Sequence, residues 1–190
     1  MAASATNLRF MNFDIRVATR GDFDGIAQVV TDAFGDESVA INKLVTDLRN
    51  HWSGREGFEL VAEVAGTVVG HVFVSSNILD APHALVRVAV LGPLGVSSKY
   101  QRQGIGGALI AAAATRADTA GFGVLFVEGD PGYYSLHGFV PGEPLGFRRP
   151  SLRTPAPAFQ VKTLSGYSDA LSGTLVYAEP FWLNDCVGLR

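Results

Sequence analysis

LVRVAVLGPLGVSSKYQRQGIGGAL, residues Leu85 to Leu109, is the stretch on which the fold turns. It reads as a strand rich in β-branched residues, a Gly92-Pro93 interruption, a short polar turn, and a glycine-rich segment that opens straight into an apolar helix. That order builds an anion site. A helix beginning near Gly104 leaves its first backbone N–H groups without intrahelical partners, and their aligned dipoles favour negative charge. Gly104, Gly106 and Gly107 remove side chains that would hold a phosphate at a distance, while Lys99 and Arg102 bring positive charge to the same mouth. The alternative for the glycines is a helix N-terminus whose small residues serve close packing.

What the loop lacks narrows the ligand. A nucleotide-triphosphate loop ends in Gly-Lys-Ser/Thr, and Gly106-Gly107-Ala108 supplies no such ending. A dinucleotide fold needs G-x-G-x-x-G, and Leu109 stands three residues after Gly106. Gln101-Arg102-Gln103-Gly104-Ile105-Gly106 instead resembles the Q/R-x-x-G-x-G/A signature of the GNAT superfamily of N-acetyltransferases, of a small stand-alone bacterial type. Two flanking features carry the same resemblance: the Gly-Pro that in the family splays two strands, and Tyr134-Ser-Leu-His-Gly138-Phe139, which matches the family's Y-x-x-x-G-F. The resemblance covers roughly Asp14 to Tyr177. It implies an α/β fold with a mixed central β-sheet and helices on both faces. It also implies acetyl-coenzyme A as acyl donor, its pyrophosphate cradled by Gln101, Arg102, Gln103, Gly104, Ile105, Gly106 and Gly107. The pantetheine arm would pair with the strand edge at Leu94, Gly95 and Val96 as though it were another strand.

The chain of 190 residues suits one domain, residues 1–190, large enough to bury a core without metal or disulfides. Hydrophobic residues make up 47% and charged residues 17%, yet no run approaches the ~18 apolar residues that span a bilayer. Met1 to Asn7 has neither the basic start nor the apolar core of a secretory signal, so the expected location is the cytoplasm. Cys186 is the single cysteine, which excludes an intrachain disulfide and a thiolate cluster. A net charge of −3 and a pI near 5.8 do not suit a nucleic-acid binder. Arg148, Arg149 and Arg153 cluster in a Pro-punctuated loop, either solvated or in contact with an acidic group.

Along the chain, Asn12 to Val17 predicts a first strand, and Thr19 with Asp22 a capping box. Ile26, Val29, Val30, Ala33 and Phe34 form the stripe of a helix ending near Gly35. Ser38 is expected to cap a second helix with the stripe Ile41, Leu44, Val45 and Leu48, stopping by Gly54. Phe58 to Val64 and Thr67 to Ser75 read as a hairpin turning at Ala65-Gly66, and Asn77 to Ala84 as a loop. The central strand is expected over Leu85 to Leu91. A helix from Gly104 to Ala120 follows, burying Ile105, Leu109, Ala112 and Ala113 and stopping at Gly121. Val124 to Val127 is a short buried strand of the parallel type, and Tyr133 to His137 one or two helical turns. Phe139-Val140 begins another strand. Phe159 to Leu164 and Gly173 to Tyr177 read as a last pair of strands. No internal repeat or second domain is legible.

In the family the tyrosine of Y-x-x-x-G-F protonates the leaving thiolate of coenzyme A, and Tyr134 holds that position. Otherwise it packs the helix on the sheet; Tyr133 is assigned to the core. Acyl transfer from a thioester needs a fixed donor for the tetrahedral oxyanion, which by resemblance is the backbone N–H of Gly95 or Val96. Ser97 and Ser98 read as turn residues. Many family members carry a carboxylate base on the central strand, but Arg87 is the only ionisable side chain from Leu85 to Val96. The candidates for a base therefore lie elsewhere: Glu63, His71, Glu128 and Asp130. His71 can equally be a hydrogen-bonded core residue, and Asp130-Pro131 a helix cap. No spacing suggests a metal, and no G-x-S-x-G elbow a serine hydrolase. The expected reaction is N-acetylation of a primary amine on a small molecule or peptide. A non-catalytic acyl-coenzyme A sensor is the rival reading, and Phe181-Trp182 suggests a homodimer.

Overall fold

The computed structural model describes residues 12–52 and 57–188. The readings of Met1 to Asn7 and of a helix stop at Gly54 lie outside them. Strands β1 (Asp14–Val17), β2 (Gly57–Val64), β3 (Thr67–Asp80) and β4 (Leu85–Val96) form an antiparallel succession. Strand β5 (Val124–Glu128) joins β4 in parallel, and β8 (Phe159–Thr163) and β6 (Val140–Pro141) continue the sheet. Strand β9 (Gly173–Val176) takes up the edge of β3 beyond the end of β2, pairing Ile78 to Asp80, and carries β7 (Phe147–Arg148). The expected closing pair is thus corrected: β8 and β9 do not touch in register, because each completes a different distant strand.

Alternation along the strands sorts the core into two layers. Val72, Val74, Ala89, Leu91, Leu125 and Val127 face helix α3 (Ile105–Thr119), while Phe73, Val88, Val90, Val124 and Phe126 face the other way. That second face is covered by α2 (Ser38–Trp52), by Phe147 and Phe159, and by Phe181 of α5 (Glu179–Leu183). Helix α1 (Phe23–Phe34) lies beside α2, its Ile26 and Val30 packed with Val45 and Val61. Helices therefore sit on both faces of a mixed sheet.

Several local expectations change. Asn77 to Asp80 belong to β3 and not to a loop. Ser75, Ser76 and Asn77 are buried, and their polarity is absorbed by hydrogen bonds: Asn77 Nδ2 donates to Ser75, and Asn77 Oδ1 accepts the Ala178 N–H at 2.8 Å. Strand β4 runs five residues past Leu91, through a cis Gly92-Pro93 peptide, with a bulge that sets both residues opposite Phe73. Ser38 is the first residue of α2 and not a cap outside it, because a 3-10 turn over Gly35–Glu37 feeds straight into the helix. Along α3, Ile110, Ala114 and Ala117 join the buried stripe, and Ala112 is only partly covered. Phe181 stacks on Tyr177 inside the chain's own core, which leaves Trp182 half-exposed in the segment read as a pairing surface.

Two charged networks lock the first helices to the sheet. The Arg16 guanidinium bridges Asp22 and Glu63, and Asp22 also accepts the Thr19 N–H and hydroxyl, completing the capping box. Deeper in, Glu59 takes two bonds from Arg49, whose guanidinium lies 3.8 Å above the Phe23 ring. It also lies 3.0 Å from Nε2 of the fully buried His71. A carboxylate only accepts, so Nε2 carries the proton and the buried, unpartnered Nδ1 is bare.

Burial pushes the His71 pKa down, since charging the ring would place a proton on Nδ1 where no acceptor exists. Burial would raise Glu59, but the bonds from His71 and Arg49 bring it below the usual carboxylate range. Both signs agree: the unfolded chain binds more protons than the folded one below the unfolded imidazole pKa of ~6.5, so stability present above that pH is lost on acidification. Urea unfolding between pH 7.5 and 5.5 should show stability falling by up to about 1.4 kcal/mol per pH unit per proton. His71→Gln keeps a donor for Glu59 and should flatten that slope; an unchanged slope would assign the pH dependence to other groups.

Candidate functional site

Strands β4 and β5 stay paired for three residues and then part. Ala89, Val90 and Leu91 sit opposite Leu125, Phe126 and Val127, and beyond them Gly92-Pro93 on one side and Glu128-Gly129 on the other diverge. Past the bulge, β4 remains bonded to β3 through Leu94, Gly95 and Val96, so its opposite edge is open. The Ser97 N–H donates to Val69 of β3 at 2.9 Å. Alternation along an antiparallel pair turns Gly95 to β3 as well, and Leu94 and Val96 to the open edge. Of the two expected oxyanion donors, Gly95 is therefore corrected, its N–H being spent within the sheet, and Val96 faces the gap. The Val96 carbonyl on that edge already accepts Gln101 Nε2 at 3.0 Å.

Two hollows meet at the gap. A groove of about 380 Å³ on the α3 side is lined by Leu94, Val96, Gln101, Arg102 and Gly106, with Tyr100, Tyr133 and Tyr134 closing it. A cleft of about 410 Å³ lies on the α2 side, with an apolar wall that includes Phe34, Ile41, Leu44 and Pro93, and with Glu128 and Tyr177 also lining it. Leu94 and Tyr134 border both.

The groove's loop reaches helix α3 through left-handed Arg102 (φ +59°) and Gly104 (φ +87°). Intrahelical bonding begins when the Ala108 N–H reaches the Gly104 carbonyl at 3.0 Å, so the N–H groups of Ile105, Gly106 and Gly107 precede it. Side chains of the loop are otherwise occupied: Gln103 Nε2 caps the Lys99 carbonyl, and Ile105 is buried in the core. Asp32 of α1 pins the loop's start by accepting the Ser98 N–H and hydroxyl, which makes Ser98 an anchor and not merely a turn residue. At Gly106 a Cβ would lie 2.4 Å from the Tyr133 hydroxyl, and at Gly107 one would lie 2.7 Å from His137 Cε1. Close packing thus accounts for these two glycines, whereas Gly104 has open space around it.

Tyr134 ends the short helix α4 (Pro131–Tyr134), which Asp130 caps by accepting the Gly132 N–H at 2.8 Å. Its ring packs edge-on against Phe139 and Tyr133, and no Cβ at Gly129 stands in its way. Among the described residues its hydroxyl has no hydrogen-bond partner. Burial, with a smaller push from Tyr133, raises its pKa far above that of free phenol, so it remains protonated. Tyr133, assigned to the core from sequence, is corrected: adjacent residues of a helical turn point about 100° apart, and with Tyr134 turned inward Tyr133 is 37% exposed. The doubled tyrosine was the available signal for a second groove residue; nothing in the sequence marked Tyr100.

A match to the acetyltransferase (GNAT) family extends over residues 26–147. The chain belongs to the GNAT family. Its relatives include the Escherichia coli N-acetyltransferase YhbS, 33% identical over 171 residues that cover 87% of this chain and 94% of that one. YjhQ of the same organism, also called an N-acetyltransferase, is 32% identical over 68% of this chain and 71% of its own. The crystal structure of YhbS in complex with coenzyme A superposes with a TM-score of 0.79 at 30% identity, covering 95% of both chains. A GNAT acetyltransferase from Brucella melitensis, solved with acetyl-coenzyme A, gives a TM-score of 0.71 at 27% identity over 90% of this chain and 99% of its own.

In this GNAT chain most charged candidates are committed to structure. Glu63 is bound to Arg16, His71 to Glu59, and Asp130 to the cap of α4. Arg148 donates to Thr174, Arg149 to the Thr154 carbonyl, and Arg153 pairs with Asp185, so the arginine loop is tied down locally. No group of three or more potential metal ligands occurs among the described residues, and no helix there is long and apolar enough to cross a membrane. Glu128 alone of the four base candidates opens on the cleft.

Since a Cβ at Gly129 would fall 2.4 Å from Tyr134 Cε2, Gly129→Ala must displace the ring. The expected cost is about 1–3 kcal/mol, measured by denaturant unfolding. In a double-mutant cycle with Tyr134→Ala most of that cost should vanish. A cost that persists without the ring would locate the strain in the backbone instead.

Proposed function

We propose that this protein transfers an acetyl group from acetyl-coenzyme A to a primary amine by direct attack, with Tyr134 as general acid. The observation that carries the reading is the position of Tyr134, bordering both groove and cleft where β4 and β5 part. Related structures containing coenzyme A and acetyl-coenzyme A support the choice of donor. In this reading the N–H groups ahead of Ala108, with Arg102, receive the pyrophosphate. The open edge at Leu94 and Val96 receives the pantetheine arm, and the Val96 N–H faces the developing oxyanion. Gln101 and Gln103 hold the loop's backbone, Gly104 gives it its left-handed turn, and Ile105 roots it in the core. Gly95 shapes the site through packing, and Gly107, close-packed against His137, adds its backbone N–H to the same cradle.

A phenol with a raised pKa is a weaker acid, but the thiolate leaves in the same desolvated place. Low dielectric disfavours both anions, so the proton affinities of phenolate and thiolate rise together. The neutral hydroxyl, without a protein partner, is free to donate to sulfur as the C–S bond breaks.

Acetyl-coenzyme A should raise the melting temperature, because a ligand that binds only the native state stabilises it. ATP and NAD should not do so at concentrations that saturate the thioester. Gly104→Val forces a β-branched residue into a left-handed position and should abolish the shift; unaltered affinity by calorimetry in the folded variant would remove the loop from the binding site. Tyr134→Phe keeps the ring and should lower kcat by roughly 10²-fold with acetyl-coenzyme A affinity nearly unchanged. A kcat within about twofold of wild type would leave Tyr134 a packing residue. Stabilisation by acetyl-coenzyme A without release of coenzyme A in the presence of amines would point to a sensor.

A further inference from the structure

We propose that Asp32 is a positioning residue for the donor. From helix α1 it holds the turn on which the phosphate loop is hung, and thereby sets the affinity for acetyl-coenzyme A, although it does not itself line the groove. This inference rests on the acetyl-transfer reading above. The Asp32 carboxylate accepts the Ser98 N–H at 2.7 Å on Oδ2 and the Ser98 hydroxyl at 3.0 Å on Oδ1, across 66 residues of sequence. Ser98 opens the 3-10 turn Ser98–Tyr100, and Ser97, the residue before it, makes no side-chain cap of its own. An aspartate from a distant element therefore serves as the N-cap of this turn.

The turn is the fixed point for both sides of the loop's sharpest bend. Its Ser98 carbonyl accepts the Gln101 N–H at 3.4 Å, and its Lys99 carbonyl accepts Gln103 Nε2 at 3.0 Å. Between the two glutamines stands Arg102, a non-glycine residue at φ +59°, a conformation that persists only where its surroundings over-determine it. Gln101 and Gln103 supply that determination, and both are bonded to the turn that Asp32 holds. A turn free to swing would carry Arg102, and with it the N–H groups of Ile105, Gly106 and Gly107, away from the place where a pyrophosphate meets them. Binding would then have to order the loop first, and that cost comes out of the affinity.

Helix α1 reaches the turn because Gly95 carries no side chain. A Cβ there would lie 3.2 Å from both Ala33 Cβ and Phe34 Cε2, so the last turn of α1 rests directly on β4. Elsewhere α1 is clasped to α2, Asn42 Nδ2 donating to the Thr31 hydroxyl at 3.2 Å. Asp32 thus projects from a helix that is itself held. By charge alone it is out of place, because an anion near a phosphate site repels the ligand. The bonds from Ser98, with Ser97 and the Lys99 charge assisting, hold its carboxyl below the usual range and keep it ionised. What the carboxylate contributes to the donor is therefore position, against the sign of its charge.

The experiment is calorimetric titration of acetyl-coenzyme A into wild type, Asp32→Ala, Asp32→Asn, Ser98→Ala and the Asp32→Ala/Ser98→Ala pair, with urea unfolding of each protein alone. Asp32→Ala removes clasp and charge together and should weaken binding roughly tenfold, whereas Ser98→Ala loses only the hydroxyl bond and should weaken it about threefold. The double variant should bind no worse than Asp32→Ala, because the serine hydroxyl has already lost its partner. Asp32→Asn separates position from charge. Its amide oxygen accepts the Ser98 N–H and its Nδ2 donates to the hydroxyl, so affinity should stay within about twofold of wild type or exceed it. Asp32→Ala affinity equal to or tighter than wild type overturns the role, as does Asp32→Asn binding as weakly as Asp32→Ala. Fully additive losses in the double variant overturn the clasp. A fall in unfolding stability with unchanged affinity makes Asp32 a residue of the fold alone and overturns the role as well. If Asp32→Ala does not fold, Ser98→Ala decides, and unaltered affinity there overturns the clasp. Wild type that binds no acetyl-coenzyme A overturns the acetyl-transfer reading itself, and the role of Asp32 falls with it.

Discussion

The separation of β4 from β5 after Leu91 and Val127 is the constraint from which the site follows. Two strands with open edges would ordinarily continue to pair, because buried backbone groups demand partners. Here the bulge at Gly92-Pro93 turns β4 aside, proline brings no N–H, and on the opposite strand the absence of a side chain at Gly129 lets an aromatic ring occupy the space where the ladder would run. The gap is consequently held open by covalent structure on one side and by packing on the other, and groove and cleft meet at it.

Those faces differ in charge. On the α3 side lie Arg102, the free N–H groups of the helix start and nearby Lys99; on the α2 side lie Glu128, Asp36 and Glu37. A net charge of −3 hides this arrangement, because only position separates the two signs. Opposite charges are thus favoured on opposite faces, and Tyr134 stands where the two hollows meet.

Much of this was legible in the chain. Period-three-and-four stripes located α1, α2 and α3, and the glycine-rich run after a β-branched strand, with Gly92-Pro93 and Tyr134 to Phe139 on its flanks, pointed to the family. What escaped was whatever depends on a distant partner. Asn77 looks like the start of a loop because its polarity is cancelled only by neighbours, one of them Ala178 a hundred residues away. Gly106 and Gly107 read as phosphate-facing, yet a Cβ on either would meet Tyr133 or His137, which no spacing rule brings there. The direction of the Gly95 N–H follows from register with β3, and register is not written in the local sequence. Elimination among the four carboxylate and histidine candidates likewise required knowing which already had partners.

The cleft is walled partly by the segment from Tyr177 to Gly188, which reaches it by way of β9 lying along the far end of β3. Contacts of such long range carry a large loop-closure cost and form after the local ones. The groove is lined from one stretch of chain, Leu94 to Tyr134, whereas the cleft is complete only with the return of β9. It follows that the wall is also the piece able to detach first. A subglobal opening that releases β9 and α5 would unmake the cleft while leaving β4, α3 and β5 in place, so groove and cleft can differ in local stability.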